Sequence, residues 1–560
     1  MKICFLNEEI IKYFFTIIQT CITGEREIME TDFQKFLADY ESRVVELSKE
    51  MSTAYFDATI SGKKEDYEKA AALQLKLNKI YSDKNDFEVL KKFKASGEIT
   101  APLLRRQLEI IYNLYASNQF DEKLMEEIIN LSLKVEETFS TFRISVGGKE
   151  LTDNEIDDLL IESVNSEELE TVWKASKQIG DKVVGDVINL AEMRNESARA
   201  LGYSNYYEMS LALNEQSLDE IEKLFDDLDS LTRSAFVQLK DEIDDYLSAR
   251  LSAPKNRLMP WHYQDKFFQH GPKIYKVDLD SYFKDKDIVK LTIDYFRGIG
   301  LEINDLVEKS DLFEKEGKYQ HAYCSDIDRN GDIRVVCNLK PNYRWMGTML
   351  HEYGHAVYDK YVDKNLPWEL RTHSHIFTTE AIAMFFGRMA ADPDWLEFMT
   401  GITENEKNKI SSDCFNSFRL EQLVFSRWVQ VVFRFEKSFY ENPGQDLNKL
   451  WHTLVEKYQL LKTPEGWNEP DWASKIHIAL YPAYYHNYIL GELLASQIYF
   501  YLKNNSAGSF SLVNNLELGG YLIDNIFKPG NRFRWDELIR KSTGYSLSPR
   551  FYADQIVKEK

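Results

Sequence analysis

The sequence predicts a mostly α-helical protein with one small β-sheet. Apolar residues recur with the helical period along most of the chain, and strand-like alternation is confined to one short segment. Of the 560 residues, 44% are hydrophobic and 13% are aromatic, so a substantial core can form and global disorder is excluded. A chain of this length holds two to four ordinary domains, or one large helical body with two lobes.

Two segments in the first half of the chain show a clear apolar stripe. The stripe of the first segment leaves Arg106 and Gln107 on the expected solvent side, and it consists of Leu103, Leu104, Leu108, Ile111, Leu114 and Tyr115. The second segment, residues 187–198, precedes Gly202, which should end that helix because glycine favours the left-handed conformation found there. The acidic segment 217–247 is typical of a solvated helix with one buried face.

The clearest candidate strand is the alternating segment 333–339, IRVVCNL. A turn sequence at residues 328–331 introduces this strand and Pro341 stops it. Residues 321–324, on the other side of the turn, are therefore its expected hairpin partner. We expect the small sheet to lie near residues 320–340.

The chain carries a formal charge of −22, from 69 Lys and Arg against 91 Asp and Glu. Such an excess of negative charge repels phosphate backbones, and no basic cluster offsets it, so nucleic acid is not expected as a partner. The five cysteines are scattered without a CxxC pair: Cys4, Cys21, Cys324, Cys337 and Cys414. Their number and spacing predict free thiols in a reducing compartment.

The first 28 residues need a separate interpretation. Residues 12–23 form an apolar run with the length of a signal-peptide core, and Cys21 stands where a lipoprotein cysteine could lie. Glu8 and Glu9 occupy the place of the positive region that such a leader needs, so a leader and a mis-set start codon both remain open. We expect a cytoplasmic protein, with secretion or lipid anchoring still open. No later stretch is apolar enough for an internal membrane span.

A metal-binding pattern follows Pro341. His351 and His355 are four residues apart on a predicted helix, so their side chains project from the same face and can share one zinc ion. Glu352 lies beside them, where it can activate the attacking water. The alternative is that the two histidines simply lie on a helix surface.

A hydrolytic zinc site needs a third protein ligand and one open position. The candidates are a histidine shortly after the pair, a nearby aspartate and a glutamate on the next helix. His373 and His375 lie in an irregular polar loop, whereas Glu380 opens an apolar segment in which an unpaired carboxylate would be costly to bury. We therefore predict that Glu380 is the third ligand. The alternative is a first-turn glutamate favoured by the helix dipole.

The segment 351–355, HEYGH, followed by Glu380, resembles the thimet oligopeptidase and oligopeptidase F family of zinc peptidases. It is also similar to the related angiotensin-converting-enzyme family, whose spacing is one residue shorter, and residues 192–203 resemble the upstream helix of both. The resemblance implies a two-lobed helical gluzincin ellipsoid with zinc at the floor of a deep central channel. It also implies one peptidase body over residues 29–560, with its zinc-site core at about 320–500.

A second cluster lies downstream, around His477. The resemblance implies that His477 and Tyr488 donate hydrogen bonds to the tetrahedral oxyanion, with Tyr481 and Tyr485 lining the site. Pro482 is predicted to begin the helix that carries the later tyrosines on one face. The register differs from the relatives by one residue, so the main donor among the three tyrosines stays open. An aromatic stripe of the core is the alternative.

The resemblance also leaves the partner of the zinc histidines open. In the converting-enzyme pattern, an acidic residue four positions after the glutamate ligand steadies one of them, and Met384 occupies that position here. Asp359, one turn beyond His355, could supply the missing carboxylate. Plain exposure of Asp359 is the alternative.

These residues predict a zinc metallopeptidase, with one Zn²⁺ per chain, that hydrolyses short peptides as an oligopeptidase or peptidyl-dipeptidase. Glu352 is the expected general base, and the strand 333–339 is expected to pair with the peptide backbone. One alternative is a helical zinc carboxypeptidase, although residues 378–381 replace its expected H-E-S-Q segment. The other is a non-catalytic zinc-binding helical protein, which would not need Glu352. The oligomeric state and the position of cleavage stay open.

Overall fold

The computed structural model describes residues 8–505 and 510–557, with side chains from residue 26 onward. It confirms the predicted fold class, since helices follow one another along the described chain and strands are confined to two small hairpins. In chain order the α-helices are α1 (Glu8–Ser61), α2 (Lys64–Tyr81), α3 (Lys84–Ser96), α4 (Pro102–Ala116), α5 (Glu122–Thr141), α6 (Asp153–Glu162), α7 (Ser166–Ala200), α8 (Tyr206–Leu213), α9 (Leu218–Leu251), α10 (Ile288–Gly298), α11 (Asn304–Lys309), α12 (Tyr343–Tyr361), α13 (Ile376–Gly387), α14 (Pro393–Thr400), α15 (Glu404–Glu441), α16 (Leu447–Gln459), α17 (Ile476–Leu480), α18 (His486–Asn505), α19 (Leu516–Leu522), α20 (Trp535–Thr543) and α21 (Pro549–Ile556).

The prediction for residues 1–28 lies largely outside the described residues. Residues 1–7 are not described, nor are the side chains of residues 8–25, including Cys21. The backbone from Glu8 onward belongs to α1. Within the part of the chain that is described, no helix combines the length and the apolar character that crossing a bilayer requires.

The ends of two predicted helices agree with the sequence. Helix α7 ends at Ala200, and Gly202 follows with a φ of +90°, the left-handed conformation that favours glycine. Helix α9 begins after Ser217, whose side-chain oxygen accepts a hydrogen bond from the backbone N–H of Glu220. Both boundaries follow from local capping chemistry.

Helix α4 is amphipathic as predicted, but its buried face differs from the expectation. Arg106 and Gln107 are buried rather than solvated. Arg106 pairs with the carboxylate of Glu215, and Gln107 donates to Glu369 Oε2 at 2.9 Å. Both partners are distant in sequence, so the pattern of α4 alone could not reveal that these polar side chains are satisfied inside the protein.

Two antiparallel hairpins contain the strands. The first joins β1 (Ile144–Val146) to β2 (Lys149–Leu151), and the second joins β3 (Tyr323–Asp326) to β4 (Ile333–Val336). The second is the predicted hairpin, with Tyr323 opposite Val336 in register. The first was not predicted, because strands of three residues are too short for an alternating pattern.

The strand β4 is shorter than the predicted segment 333–339, and both of its edges are paired. Beyond Val336 the backbone N–H groups turn to another partner, with Cys337 donating to Asp311 O and Leu339 to Leu312 O, each at 2.9 Å. Asp311 N also donates to Val335 O. The expectation that this strand pairs with a peptide backbone is therefore wrong, and β3 is the outer strand of the hairpin.

The largest hydrophobic cluster surrounds α12, α13, α15 and α18. Its fully buried members include Tyr353 of α12, Phe386 of α13 and Trp428 of α15. A second cluster joins α1, α3 and α4 through Phe33, Leu90 and other residues. The helices that carry the predicted site therefore pack in the main core, where close packing holds their side chains in place.

Candidate metal centre

Helix α12 presents the two predicted histidines on one face. The helix begins after Asn342, whose side-chain oxygen accepts a hydrogen bond from Trp345 N at 2.9 Å, as N-cap residues do. The ring centroids of His351 and His355 lie 5.0 Å apart, and the rings are nearly perpendicular. Their spacing of one helical turn lets both imidazoles reach the same ion.

Helix α13 lies against this face because a glycine allows the two helices to approach. A β-carbon on Gly354 would stand 2.8 Å from Cα of Ala383, closer than β-carbons come to other atoms. The helix α13 begins after His375, whose Nδ1 accepts the backbone N–H of Phe377. Glu380 follows in the second turn and points at the histidine pair.

The three predicted ligands converge. Glu380 Oε1 lies 3.7 Å from His351 Nε2, and Glu380 Oε2 lies 3.5 Å from His355 Nε2. One donor atom from each residue falls within 4.8 Å of the others, and no second group of this kind occurs among the described residues. Two imidazole nitrogens and one carboxylate oxygen are the donor set of hydrolytic zinc sites, so these residues fit such an ion.

The partner of His355 is a threonine. His355 Nδ1 lies 2.8 Å from the hydroxyl oxygen of Thr379, which immediately precedes Glu380 on α13. A hydrogen bond at Nδ1 leaves Nε2 free to face Glu380. The Asp359 carboxylate instead lies 3.9 Å from His373 Nδ1 and is mostly buried. Neither expectation for Asp359 holds, since it is not exposed and does not bond to His355.

The charges in this centre are set by burial and by the ligand pairs. Burial lowers the pKa of His351 to about 4, so its imidazole is neutral and can offer a lone pair at neutral pH. Burial opposes the ionisation of Glu380, but the two imidazoles outweigh it and lower the pKa of this carboxyl. Glu352 is not among the converging donors, and burial raises its pKa to about 7. A carboxyl with that pKa can accept and release a proton near neutral pH.

Helix α18 packs against α13. A β-carbon on Gly491 would lie 3.4 Å from Glu380 Cγ, so the two helices are in contact at the ligand. The prediction that Pro482 begins this helix is wrong, because α18 begins at His486. Ala483 has a φ of +57°, a left-handed conformation that breaks the chain direction between α17 and α18.

The tyrosines close to this change of chain direction have different surroundings. Tyr484 and Tyr488 have ring centroids 5.5 Å apart. Burial raises the pKa of both hydroxyls, and the nearby Glu380 carboxylate raises them further. The buried Tyr485 accepts a hydrogen bond from the indole N–H of Trp428 at 2.9 Å, and Tyr481 is 51% exposed. Tyr488 and Tyr484 are thus the tyrosines whose hydroxyl pKa is raised by the predicted metal ligand Glu380.

His477 lies on the short helix α17, beside Tyr481 and Tyr485, with ring centroids 6.1 and 5.1 Å away. Its Nδ1 is buried and has no hydrogen-bond partner. Burial and the nearby Lys475 lower the pKa of His477 to about 4. The neutral ring therefore keeps an unused polar nitrogen, a feature typical of a ligand-binding position.

Three residues of this region were missed in the sequence. Thr379 and Tyr484 gave no signal, because threonine in an apolar helix and tyrosine in an aromatic run are both ordinary core residues. Lys475 could have been noticed as a lone cation two residues before His477. It donates to Gln269 Oε1 at 2.7 Å, and its Nζ lies 5.5 Å from the centre of the Tyr485 ring.

Comparisons with known proteins cover almost the whole chain. Residues 28–547 match the family model described as Peptidase_M2, angiotensin-converting enzyme. An angiotensin-converting enzyme from Theromyzon tessulatum is 21% identical over 506 residues, which cover 83% of this chain and 81% of that protein. An uncharacterized protein from Methanocaldococcus jannaschii is 26% identical over 183 residues, covering 28% of this chain and 15% of that protein.

Proposed function

The chain belongs to the angiotensin-converting-enzyme family of zinc metallopeptidases, and on that premise we propose that it hydrolyses short peptides at a zinc ion held by His351, His355 and Glu380. The observation that carries this proposal is the convergence of the three donor groups within 4.8 Å. Of the two families that the sequence resembles, the match over residues 28–547 supports the angiotensin-converting-enzyme family. The resemblance to the thimet oligopeptidase and oligopeptidase F family remains a prediction.

Glu352 is the proposed general base. A bound zinc ion lowers the pKa of water towards about 7 and polarises the scissile carbonyl. Glu352 accepts the proton of the attacking water and passes it to the leaving amine. Its raised pKa, about 7 through burial, supports both transfers. Burial also keeps bulk water from competing for its carboxylate.

Tyr488 is the proposed main donor to the oxyanion, with Tyr484 beside it. Both hydroxyls have a raised pKa, so they stay protonated and can donate as negative charge develops on the carbonyl oxygen. His477 supplies a further donor for the peptide, since its buried Nδ1 has no partner within the protein. Tyr481 and Tyr485 are assigned to lining the site. The outer edge of β3 is the proposed position for the extended peptide backbone.

Lys475 is the proposed anchor for the C-terminal carboxylate of the peptide. Its ammonium group uses one N–H for Gln269 Oε1 and has two more for a carboxylate. It is linked to the metal centre through contacts of aromatic rings, because Tyr485 packs against Tyr488 with centroids 5.3 Å apart. An anchor at this end of the peptide favours release of a short C-terminal fragment over internal cutting.

The proposal is tested with synthetic peptides of five to fifteen residues, each as a free acid and as a C-terminal amide. Mass spectrometry should detect dipeptides released from the free acids, with much slower cleavage of the amides. Glu352→Gln should remove the activity, whereas Glu537→Gln, an exposed and partly paired glutamate, should not. Undiminished activity of Glu352→Gln would rule out the base, and equal cleavage of the amides would favour the internal-cutting oligopeptidase.

A further inference from the structure

A cavity of about 960 Å³ opens beside Lys475. It lies between α7, the segment 264–273 and the start of α17, and its lining includes Lys177, Asp265 and Gln269. This volume is sufficient for a whole peptide residue with its side chain. Lys475, the proposed anchor for the C-terminal carboxylate, is itself part of the cavity lining, so a C-terminal residue bound there would lie beside the cavity.

Lys177 is a buried cation in this cavity with no carboxylate partner. Its side chain is 3% exposed, and its Nζ donates to the carbonyl oxygen of Lys266 at 2.7 Å. The Nζ also lies 3.5 Å from the centre of the Phe267 ring. In the described part of the chain, no carboxylate oxygen stands within ion-pair distance of Lys177 or of Lys475. A buried ammonium group without such a partner destabilises the fold, and a ligand carboxylate in the cavity would offset that cost.

The two lysines face the same ring. Lys475 Nζ lies 5.5 Å from the centre of Phe267, so its distance from Lys177 Nζ cannot exceed the sum of the two ring distances. Both ammonium groups are therefore close enough to bind the two carboxylates of one amino acid. Burial lowers the pKa of Lys177 and lowers the pKa of Lys475 to about 8, and a bound carboxylate reverses such a shift.

Two carboxylates in the surroundings of the lysines already accept hydrogen bonds from protein N–H groups. Asp265 accepts the backbone N–H groups of Phe267 and Gln269 at 2.7 and 3.0 Å. Asp471 accepts the indole N–H of Trp467 at 3.1 Å. Asp265 raises the pKa of both lysines, and Asp471 raises that of Lys177, from beyond ion-pair distance. Each of the two ammonium groups makes one hydrogen bond to the described residues, so each keeps N–H donors that a ligand carboxylate could accept.

We propose that Lys177 and Lys475 make this cavity a subsite for a C-terminal glutamate or aspartate of the substrate. Lys475 binds the α-carboxylate, and Lys177 binds the side-chain carboxylate. This assignment rests on the proposed function, since it extends the anchor at Lys475 by a second cation. It predicts a preference for acidic C-terminal residues in a protein whose own net charge of −22 would otherwise disfavour them.

The test compares two peptides of identical sequence that end in glutamate or in glutamine. The wild type should cleave the glutamate peptide with a kcat/KM at least about tenfold higher, as a charged hydrogen bond contributes. Lys177→Gln, which can still donate to Lys266 O, should bring the two values together by slowing only the glutamate peptide. Lys177→Arg should keep the preference. Lys273→Met removes the same charge from an exposed position on the cavity lining and should leave the ratio unchanged.

The outcomes separate this subsite from the proposed function. Equal kcat/KM values for the two peptides in the wild type overturn the subsite, while the peptidase assignment stands. A preference for glutamate that survives in Lys177→Gln overturns the role of Lys177. If neither peptide is cleaved, the proposed function fails and the subsite fails with it. The comparison in the wild type needs no variant, so a Lys177 variant that does not fold cannot obscure the result.

Discussion

A β-carbon on Gly354 would stand 2.8 Å from Cα of Ala383. The helix with both histidine ligands and the helix with the carboxylate ligand are therefore packed at a distance that only glycine permits. Gly354 directly precedes His355, and Ala383 lies three residues after Glu380, so the contact is next to ligands in both helices. The geometry of the metal centre depends on it.

Gly354→Ala should separate α12 from α13 by several tenths of an ångström and lower zinc affinity at least about tenfold, with a loss of about 1–3 kcal/mol in stability from overpacking. Zinc affinity is measured by competition with a chelator, and stability by denaturant unfolding. Gly347→Ala is the matched control, because its β-carbon would meet only ordinary contacts at 3.5 Å or more. Equal zinc affinity in Gly354→Ala and the wild type would contradict this account of the helix contact.

Thr379→Val should weaken zinc binding about 10- to 100-fold, the range found when a partner of a metal-binding histidine is removed. Valine keeps the shape of threonine but leaves His355 Nδ1 without its hydrogen bond. Thr379→Ser restores a hydroxyl at the same position and should recover most of the affinity. If serine and valine behave alike, the hydroxyl does not orient His355.

Tyr488→Phe should lower kcat about 10²- to 10³-fold with little change in KM, because it removes a donor that acts on the oxyanion. Tyr485→Phe serves as the comparison, since its hydroxyl bonds to Trp428. It should cost about 1 kcal/mol in stability and leave kcat nearly unchanged. Steady-state kinetics and thermal melting of both variants decide the assignment. A larger loss of kcat in Tyr485→Phe would reverse it.

The kcat/KM for free-acid peptides should fall as the pH rises above about 8. Burial lowers the pKa of Lys475 to about 8, so the side chain is charged well below that pH and loses its charge as the pH rises through it. A neutral amine no longer attracts a carboxylate, and kcat/KM reports the ionisation of the free enzyme. Amidated peptides and the variant Lys475→Met should lack this fall. A similar fall for amidated peptides would point to another group.

The metal ligands could be predicted because their signals are local. His351, Glu352 and His355 lie within two helical turns, and Glu380 stands out as a carboxylate in an otherwise apolar segment. Gly202 also predicted the end of α7, and the acidic segment 217–247 predicted α9, which begins at Leu218 and ends four residues later than expected, at Leu251. In each case the physical cause lies within a few residues of the feature.

The predictions that were wrong concern features that depend on contacts between residues distant in sequence. Proline is accepted both in the first turn of a helix and in a loop, so Pro482 could not show that α18 begins only at His486. The strand β4 ends early because residues 311 and 312 take its next backbone bonds. Arg106 is buried because Glu215, in the connection between α8 and α9, provides its charge partner. Such partners become visible only when the chain is folded.

The central claim is tested most directly by the zinc content and zinc affinity of the purified chain and its ligand variants. The wild type should bind one zinc ion per chain, lose peptidase activity with a chelator and regain it when zinc is restored. His351→Ala and Glu380→Ala should lose high-affinity zinc, whereas His373→Ala, which changes the ring beside Asp359, should retain it. Full zinc affinity in Glu380→Ala, or peptidase activity that persists in the metal-free wild type, would contradict the account.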